Sequence, residues 1–339
     1  MNVLGIETSC DETSAAVFCD GVIRSNIISS QLIHRQFGGV VPELASRAHQ
    51  RLIVSIVDEA LRTAGVTKNR LDGVAVTYGP GLVGALLVGL SFAKALAYGL
   101  GVPLVGVNHL EAHLYSNFIE EPKPEFPFVC LVVSGGHTLL VLVHELFRHR
   151  LLGETLDDAA GEAFDKVAKM MGLGFPGGPV IDRNAQHGDP QFVKFPRSFL
   201  DGDGFEFSFS GIKTSVLYWL RDNGLLSDGE NRPSLDPKLV ENLCASFQAS
   251  VVDVLVGKTM AAVDAFNVRN VAIAGGVSAN SELRRRMQRL SDEKRIRLFF
   301  PGLEYCTDNG AMIAFVGGMK LKAGIQSGFD LTAIANLSL

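Results

Sequence analysis

The chain has 339 residues, of which 47% are hydrophobic and 20% charged, and its formal net charge is −5. This length predicts two domains or lobes rather than one small core. The negative net charge excludes a general electrostatic attraction to nucleic acid, so any RNA substrate would need a local basic patch or a partner protein.

The five cysteines include no CxxC pair, and their number is odd, which indicates reduced thiols and a cytoplasmic location. The first residues, MNVLGIETSC, lack the basic and long apolar regions of a signal peptide, so we expect none. The most apolar window begins at Gly81, but it contains Lys94 and is broken by Pro103. We expect a buried helix that runs into a buried strand, and no membrane association.

Residues 3–18 and 128–143 share one pattern, in which two apolar runs flank a bend of small polar residues. The first bend is rich in Thr, Ser, Asp and Glu, and the second reads SGGHT from Ser134. Each stretch is followed by more strand pattern and then by helices. This similarity indicates an internal repeat at the scale of a domain.

Strands and helices alternate along the rest of the chain, which favours an α/β fold. Between the hairpins the pattern predicts a helix in PELASRAHQRLIVSIVDEALRTAG, a strand in LDGVAVTY, a glycine turn, a buried helix from Ala85 and a strand in PLVGVN. After the second hairpin the pattern predicts one helix in TLDDAAGEAFDKVAKMMGLG and another after FPGGP. Loops are then predicted over 199–236, with one helix near Lys213–Leu220, followed by a helix Lys238–Phe266. The last predicted elements are a strand and glycine turn in NVAIAGGVSAN, a helix and strand in SELRRRMQRLSDEKRIRLFFP, and an apolar helix in TDNGAMIAFVGGMKLKAG.

These elements suggest a two-lobed nucleotide-binding protein whose hairpin bends face a cleft. Bends of glycine and small polar residues expose backbone N–H groups without bulk, which suits a phosphate. One such bend is usually an ordinary turn, but two of them together with AGGVSAN favour a nucleotide cleft. We place the first lobe at residues 1–125, the second at 126–325 and a C-terminal tail at 326–339.

The segment NHLEAHLYSNF places His109 and His113 on one face of a predicted helix. Glu111 lies about 200° around that helix from His109, and the order HxExH differs from the HExxH of zinc proteases. Spacing alone leaves open whether the histidines are structural or bind a metal, which would need a third ligand. Asp308 is a candidate for that ligand, although it could instead be the N-cap of the following helix.

Nine segments occur in an order that resembles the universal tRNA threonylcarbamoyladenosine transferase family, whose bacterial members are called TsaD. They are GIETSCDET, YGPGLVGALLVG, NHLEAH, LVVSGGHT, DDAAGEAFDKVAK, FPGGP, FSFSGIKT, AGGVSAN and CTDNGAM. The resemblance covers nearly the whole chain. It implies a duplicated actin-like α/β fold of the sugar-kinase and Hsp70 type (ASKHA), with two lobes and a central nucleotide cleft.

The resemblance also implies the reaction, an acyl-type transfer. The threonylcarbamoyl group of L-threonylcarbamoyl-AMP passes to N6 of adenosine 37 in tRNAs that read codons beginning with A, and AMP is released. The partners that it implies are tRNA, the paralogue TsaB, the ATPase TsaE and, upstream, a threonylcarbamoyl-AMP synthase of the TsaC/YrdC type.

Site residues follow from the same resemblance, position by position. It implies one divalent metal ion per subunit, Fe²⁺ or Zn²⁺, with the ligands His109, His113 and Asp308. It implies that the adenine nucleotide part of the substrate contacts Val133, Ser134, Gly135, Gly136, Asp165, Gly178, Asp182 and Asn280.

The reaction also requires removal of a proton from the amine, and Asp11 and Glu12 in the first bend are our candidates for the base. A solvated turn or N-cap is an equally open interpretation of this pair, and His137 is better explained as structural. For tRNA, the basic segment 283–290 and the loop at Lys213 are candidates, although a solvated helix face explains the former. The rival functions are a nucleotide-gated assembly platform and a metalloendopeptidase.

Overall fold

The computed structural model describes residues 1–198, 204–225 and 235–339, and its chain forms two compact units. The first unit comprises residues 1–123 and 301–339, and the second comprises residues 124–300. The predicted loops at 199–203 and 226–234 lie outside the described residues.

The strands are β1 (Asn2–Glu7), β2 (Glu12–Cys19), β3 (Val22–Ser30), β4 (Gly73–Gly79), β5 (Leu104–Asn108), β6 (Phe128–Val133), β7 (Thr138–Glu145), β8 (Arg148–Glu154), β9 (Asn270–Ala274) and β10 (Arg297–Phe299). The helices are α1 (Pro42–Ala64), α2 (Val83–Leu100), α3 (His109–Tyr115), α4 (Ala160–Met170), α5 (Gly177–Ala185), α6 (Ser210–Asp222), α7 (Pro237–Phe266), α8 (Ser281–Lys294) and α9 (Gly310–Lys322). Short 3₁₀ turns lie at Leu32–Phe37, Lys68–Arg70, Ser116–Phe118, Gly276–Ala279 and Leu303–Tyr305.

Each unit contains one five-stranded sheet, and the two sheets have the same topology. The orders are β3-β2-β1-β4-β5 and β8-β7-β6-β9-β10. In each sheet the first three strands form antiparallel hairpins, and the last two join in parallel. The predicted duplicated α/β fold is therefore confirmed, and the repeat that was visible in the two hairpins extends to the whole sheet.

Several strands are buried along almost their whole length, as their continuous apolar runs predict. Among them are β1, β4 and the edge strand β5 in the first unit, and β6 and β9 in the second. Because these strands end at one edge of each sheet, the residues that follow them are brought close together in each unit.

Helix α9 packs against the sheet of the first unit at backbone distance. A side-chain carbon on Gly5 would lie 2.2 Å from the backbone nitrogen of Ala314, and one on Gly317 would lie 2.2 Å from the Cβ of Ala75. This packing makes residues 301–339 part of the first unit. The lobe boundaries predicted from the sequence differ from these units. On sequence order, residues 301–325 are placed in the second lobe and residues 326–339 in a separate tail.

Two helices, α2 and α7, are long and apolar enough to cross a membrane by length and composition alone. This criterion is weak evidence, because the core helix of a folded domain meets it as well. The most apolar window of α7 is 72% buried within the protein and that of α2 is 33% buried. Leu86, Leu90 and Ala93 on the inner side of α2 are buried, as expected for a helix that covers a sheet.

We predict that Gly5→Ala will destabilise the protein by about 1–3 kcal/mol, since the new methyl group would overlap the backbone of α9. Gly99 in α2 is the matched control, because a side-chain carbon there meets open space. Gly99→Ala should leave stability unchanged or raise it by about 0.5–1 kcal/mol. Urea unfolding followed by circular dichroism measures both, and equal midpoints for the two variants would contradict close packing of α9.

Candidate functional site

The two histidines of the first unit lie on α3, which begins directly after the buried strand β5. The side chain of Asn108 caps this helix by accepting hydrogen bonds from the backbone N–H groups of Leu110 (2.8 Å) and Glu111 (3.3 Å). His109 and His113 are one turn apart, and their ring centroids lie 4.7 Å from each other. The predicted shared face is therefore present, and it is buried.

Both imidazoles converge on the carboxylate of Asp308. Its Oδ1 lies 3.0 Å from Nε2 of His113 and 3.4 Å from Nε2 of His109. The N-cap of α9 is Asn309, whose side chain accepts a hydrogen bond from the Met312 N–H, so the alternative capping role of Asp308 is filled by its neighbour. Three potential ligand atoms thus lie within 4.8 Å of one another.

Glu7, at the end of β1, contacts the imidazole of His109 at Nδ1, on the side of the ring opposite to the nitrogen that faces Asp308. Its Oε2 lies 3.1 Å from Nδ1 of His109 and accepts a hydrogen bond from the Thr77 hydroxyl at 2.6 Å, and its Oε1 accepts one from the Ser9 N–H. A carboxylate at Nδ1 holds the proton there and leaves Nε2 available to a metal. Glu7 is not among the site residues predicted from the sequence, although an acidic residue that ends the apolar run VLGI is a usable signal.

Charge balance at this cluster explains its ionisation. Burial by itself would raise the pKa of Asp308, but the adjacent His109 and His113 outweigh it and hold the pKa well below the usual range. Burial disfavours a charged His109, yet Asp308 and Glu7 together raise the pKa of that imidazole well above its ordinary value. The pKa of Glu7 is lowered, because the attraction of His109 exceeds the effect of burial.

These residues fit a divalent transition metal. Two imidazole nitrogens and one carboxylate oxygen form an open donor set that suits Fe²⁺ or Zn²⁺. The ligand atoms already face one another, and Glu7 supplies the outer carboxylate that metal-bound histidines commonly have. Among residues 1–198, 204–225 and 235–339, these three side chains form the one group of three or more His, Cys, Asp or Glu whose ligand atoms lie close enough together to hold a metal ion.

Asp11 and Glu12 lie on the β1–β2 bend, which is fixed by a buried histidine. His49 of α1 contacts the Cys10 carbonyl through Nε2 at 2.9 Å and the Thr13 hydroxyl through Nδ1 at 2.8 Å. One imidazole therefore holds both sides of the bend. Burial lowers the pKa of His49 and so favours the neutral ring, in which Nε2–H donates to the Cys10 carbonyl and Nδ1 accepts from the Thr13 hydroxyl.

Glu12 is electrostatically coupled to the candidate metal ligands. Burial raises its pKa to about 9, and the charges of Asp308, Asp11 and Glu7 add to this effect. The Glu12 carboxyl is therefore protonated at neutral pH when the cluster carries no cation. A divalent ion at Asp308 would offset the negative charge and lower this pKa.

In the second unit, the predicted phosphate loop follows Val133 at the end of β6. The Ser134 carbonyl accepts a hydrogen bond from the N–H of Gly161 in the first turn of α4, at 3.2 Å. Side-chain carbons on Gly135 and Gly136 would meet open space, so their backbone is accessible to a ligand. The loop thus has the open backbone that a phosphate site needs.

The polar nucleotide-binding candidates have protein partners. Asp165 accepts a hydrogen bond from the Gly177 N–H at 2.6 Å, beside Gly178, where a side chain would also meet open space. Asp182 accepts hydrogen bonds from the backbone and the hydroxyl of Ser281. Next to it, Asn280 caps α8 and donates to Gln248. Contact of these residues with a nucleotide stays a prediction.

Solved structures define the class of fold first. HypF from T. kodakarensis aligns with 97% of this chain at a TM-score of 0.61 and 15% identity. Full-length HypF in its phosphate- and nucleotide-bound form aligns with 94% at a TM-score of 0.59 and 12% identity. This chain spans about half the length of those HypF chains, 48% and 46%. The likeness shows a shared duplicated α/β fold.

Sequence relatives then define the family. A tRNA N6-adenosine threonylcarbamoyltransferase of Salinibacter ruber is 58% identical over 340 residues and covers all of both chains. One of Geotalea uraniireducens is 54% identical over 336 residues, covering 98% of this chain and 95% of its own. Residues 22–315 match the TsaD family model, described as tRNA N6-adenosine threonylcarbamoyltransferase. The chain belongs to the TsaD family, as its nine segments predicted.

We predict that metal binding releases a proton from His109. Its raised pKa keeps the ring protonated in the metal-free protein, and only unprotonated Nε2 can bind a metal. Zn²⁺ affinity should therefore increase as the pH rises from about 6 to 8. Isothermal titration in buffers of different ionisation enthalpy should give at least one proton released per Zn²⁺, from His109, and a further proton from Glu12 to the extent that the ion lowers its pKa from about 9. Zn²⁺ binding without proton release would contradict the charge balance of this cluster.

Proposed function

We propose that this protein transfers the threonylcarbamoyl group from L-threonylcarbamoyl-AMP to N6 of adenosine 37 in tRNAs that read codons beginning with A, releasing AMP. The single observation that carries the proposal is the cluster of two buried histidines, His109 and His113, with the partly buried Asp308, and with the Glu12 carboxyl in electrostatic reach of it. The cluster occurs in a chain that is 58% identical over its full length to a transferase of this name.

The proposed metal is Fe²⁺ or Zn²⁺, one per subunit, held by His109, His113 and Asp308. When bound, it would supply Lewis-acid chemistry or a binding point for a carbonyl or carboxylate of the threonylcarbamoyl group. The protein's own residues would hold the threonylcarbamoyl group in position. Glu7 fixes the His109 ring, and the buried α3 keeps both imidazoles on one face.

The transfer step breaks the bond between the carbamoyl carbon and the phosphate oxygen and forms a bond from that carbon to N6. N6 loses one proton, and we propose Asp11 or Glu12 as its acceptor. Glu12, whose pKa is raised to about 9, would become a proton acceptor at neutral pH if a cation held by Asp308 offset the neighbouring negative charges. This dependence would link base activation to an occupied site.

For the nucleotide part of the substrate we propose the loop Val133–Gly136, with Asp165, Gly178, Asp182 and Asn280. Support comes from the exposed backbone at Gly135, Gly136 and Gly178, where side-chain carbons would meet nothing within 4 Å. The N–H groups of the loop suit the phosphate, and the two carboxylates suit ribose hydroxyls, which are good donors to such acceptors.

The proposed macromolecular partners are tRNA, TsaB and TsaE, with a TsaC/YrdC-type synthase as the source of the activated substrate. The arginines of α8 do not give a free basic patch: Arg285 pairs with Glu282, Arg286 with Asp253, and Arg289 with Glu293. We therefore infer that strong tRNA binding needs the assembled partners. Free cysteines and a tRNA substrate fit a cytoplasmic location.

The two rival functions have no support from the relatives, which are named as transferases. A metallopeptidase would also need a carboxylate base beside the metal. Glu111 is engaged elsewhere, since its carboxylate forms a 2.5 Å ion pair with Lys320. A nucleotide-gated platform would predict nucleotide binding without modification of tRNA.

The test of the function is reconstitution with threonylcarbamoyl-AMP, unmodified tRNA and this protein, with and without the partners. Mass spectrometry of residue 37 should detect threonylcarbamoyladenosine in the complete mixture. His109→Ala should remove both the metal, measured by elemental analysis, and the product, with unchanged circular dichroism. Full product from metal-free His109→Ala would refute the metal's role, and absence of product under every condition would favour the platform.

We predict that one of the two variants Asp11→Asn and Glu12→Gln, the one that removes the base, will lower kcat by about 10²–10⁴-fold, the usual contribution of a general base. Glu43→Gln is the control, because Glu43 forms only an exposed ion pair with Arg47. In addition, Glu12→Gln should remove one ionisation from the pH dependence of kcat, which single-turnover assays at several pH values would reveal. A wild-type kcat in both variants would exclude these carboxyls as the base.

A further inference from the structure

We propose that the ion pair between Glu111 and Lys320 is a positioning device for the metal centre, an inference that rests on the metal site of the proposed function. The pair joins the two elements that carry the ligands. Glu111 lies between the histidines of α3, and Lys320 lies on α9, which begins two residues after Asp308. The Glu111 Oε2 and the Lys320 Nζ are 2.5 Å apart.

The pair is shielded from water, which distinguishes it from an ordinary surface ion pair. The side chain of Glu111 is 10% exposed and that of Lys320 14%. The Lys320 ammonium also lies 3.5 Å from the Gly106 carbonyl on β5, the strand that leads into α3. Charges with so little solvent interact strongly, and removing one partner leaves the other without the opposite charge that it faces.

The position of Glu111 around α3 explains how the pair can act on the ligands. His109 and His113 lie about 40° apart around the helix, and Glu111 lies on the opposite side, about 200° from His109. Asp308 contacts α3 on the histidine face, and Lys320 contacts it on the far face. Contacts on two opposite faces fix the rotation of α3 about its axis. That rotation determines the direction in which both imidazoles point.

Helix α3 depends on its tertiary contacts, of which this ion pair is one, because it is short. It has seven residues, all of them buried, and isolated helices below about 12–15 residues are only marginally stable. Its one side-chain cap, Asn108, holds the first turn only. A metal site tolerates displacements of about 0.5 Å in its ligands, so a helix that can rotate would bind the metal less tightly.

The experiment compares Zn²⁺ affinity in the full-length protein, measured by competition with a chromophoric chelator. Glu111→Gln and Lys320→Met should each weaken Zn²⁺ binding by about 10–100-fold, the usual effect of losing an outer partner of a metal ligand. Lys320→Arg keeps the charge and should stay near the wild-type affinity. The double variant Glu111→Gln/Lys320→Met should be no weaker than the single variants, because both remove the same interaction.

Arg197→Met is the matched control, since Arg197 forms a half-buried ion pair with Asp253 in the second unit. It should leave Zn²⁺ affinity unchanged even where it lowers the melting temperature. The absorption spectrum of bound Co²⁺ gives a second measurement, because altered ligand geometry in Glu111→Gln changes its visible bands.

Wild-type Zn²⁺ affinity and an unaltered Co²⁺ spectrum in Glu111→Gln and Lys320→Met would overturn the proposal and leave the pair a purely structural one, whatever happens to the melting temperature. A wild-type protein that binds neither Zn²⁺ nor Co²⁺ would instead overturn the metal centre itself, and the role of the pair with it. Circular dichroism of each variant confirms that the compared proteins are folded.

Discussion

The close packing of α9 on the sheet of the first unit is the constraint on which the candidate metal site depends. Gly5, Gly310 and Gly317 allow the helix and the strands to approach at backbone distance, where any side-chain carbon would overlap a neighbouring atom. This approach places Asp308, which lies two residues before the helix, beside the histidines of α3. Residues about 200 positions apart in the chain therefore share one partly buried carboxylate.

Burial then determines the chemistry of the cluster. In low dielectric surroundings each charge must be matched, and here the carboxyls of Glu7 and Asp308 both contact the imidazole of His109, while the Glu12 carboxyl lies within their electrostatic influence. The result is uneven: Asp308 is held ionised, whereas Glu12 has its pKa raised to about 9. A divalent cation supplies the positive charge that this arrangement lacks, which is a physical reason for a metal at this position.

The segment NHLEAH gains a different meaning in three dimensions. By sequence, the glutamate between two histidines suggests peptidase chemistry, and the order HxExH and the angle of Glu111 around the helix both speak against it. In the folded chain the same angle directs Glu111 away from the ligands and towards Lys320, so the acidic residue serves the stability and orientation of α3. One face of this short helix thus carries the two histidines, and the opposite face carries the ion pair that holds the helix in place.

Local patterns predicted the elements well, because helices and strands leave their periodicity in the apolar residues. The predicted helix Lys238–Phe266 differs by one residue from α7, which begins at Pro237. The two hairpins revealed the duplication, since sheets with equal topology need similar apolar runs. The unit boundary was harder, because α9 packs with strands that lie far from it in sequence.

The sequence by itself determined the family, the duplicated α/β fold and the two histidines on one helical face. Those features reside in contiguous motifs and in short-range periodicity. Only the tertiary structure decided that Glu7 supports His109, that Asn309 rather than Asp308 caps α9, and that Glu111 pairs with Lys320. Each of these depends on side chains brought together by packing between distant segments, and spacing along the chain carries no record of such contacts.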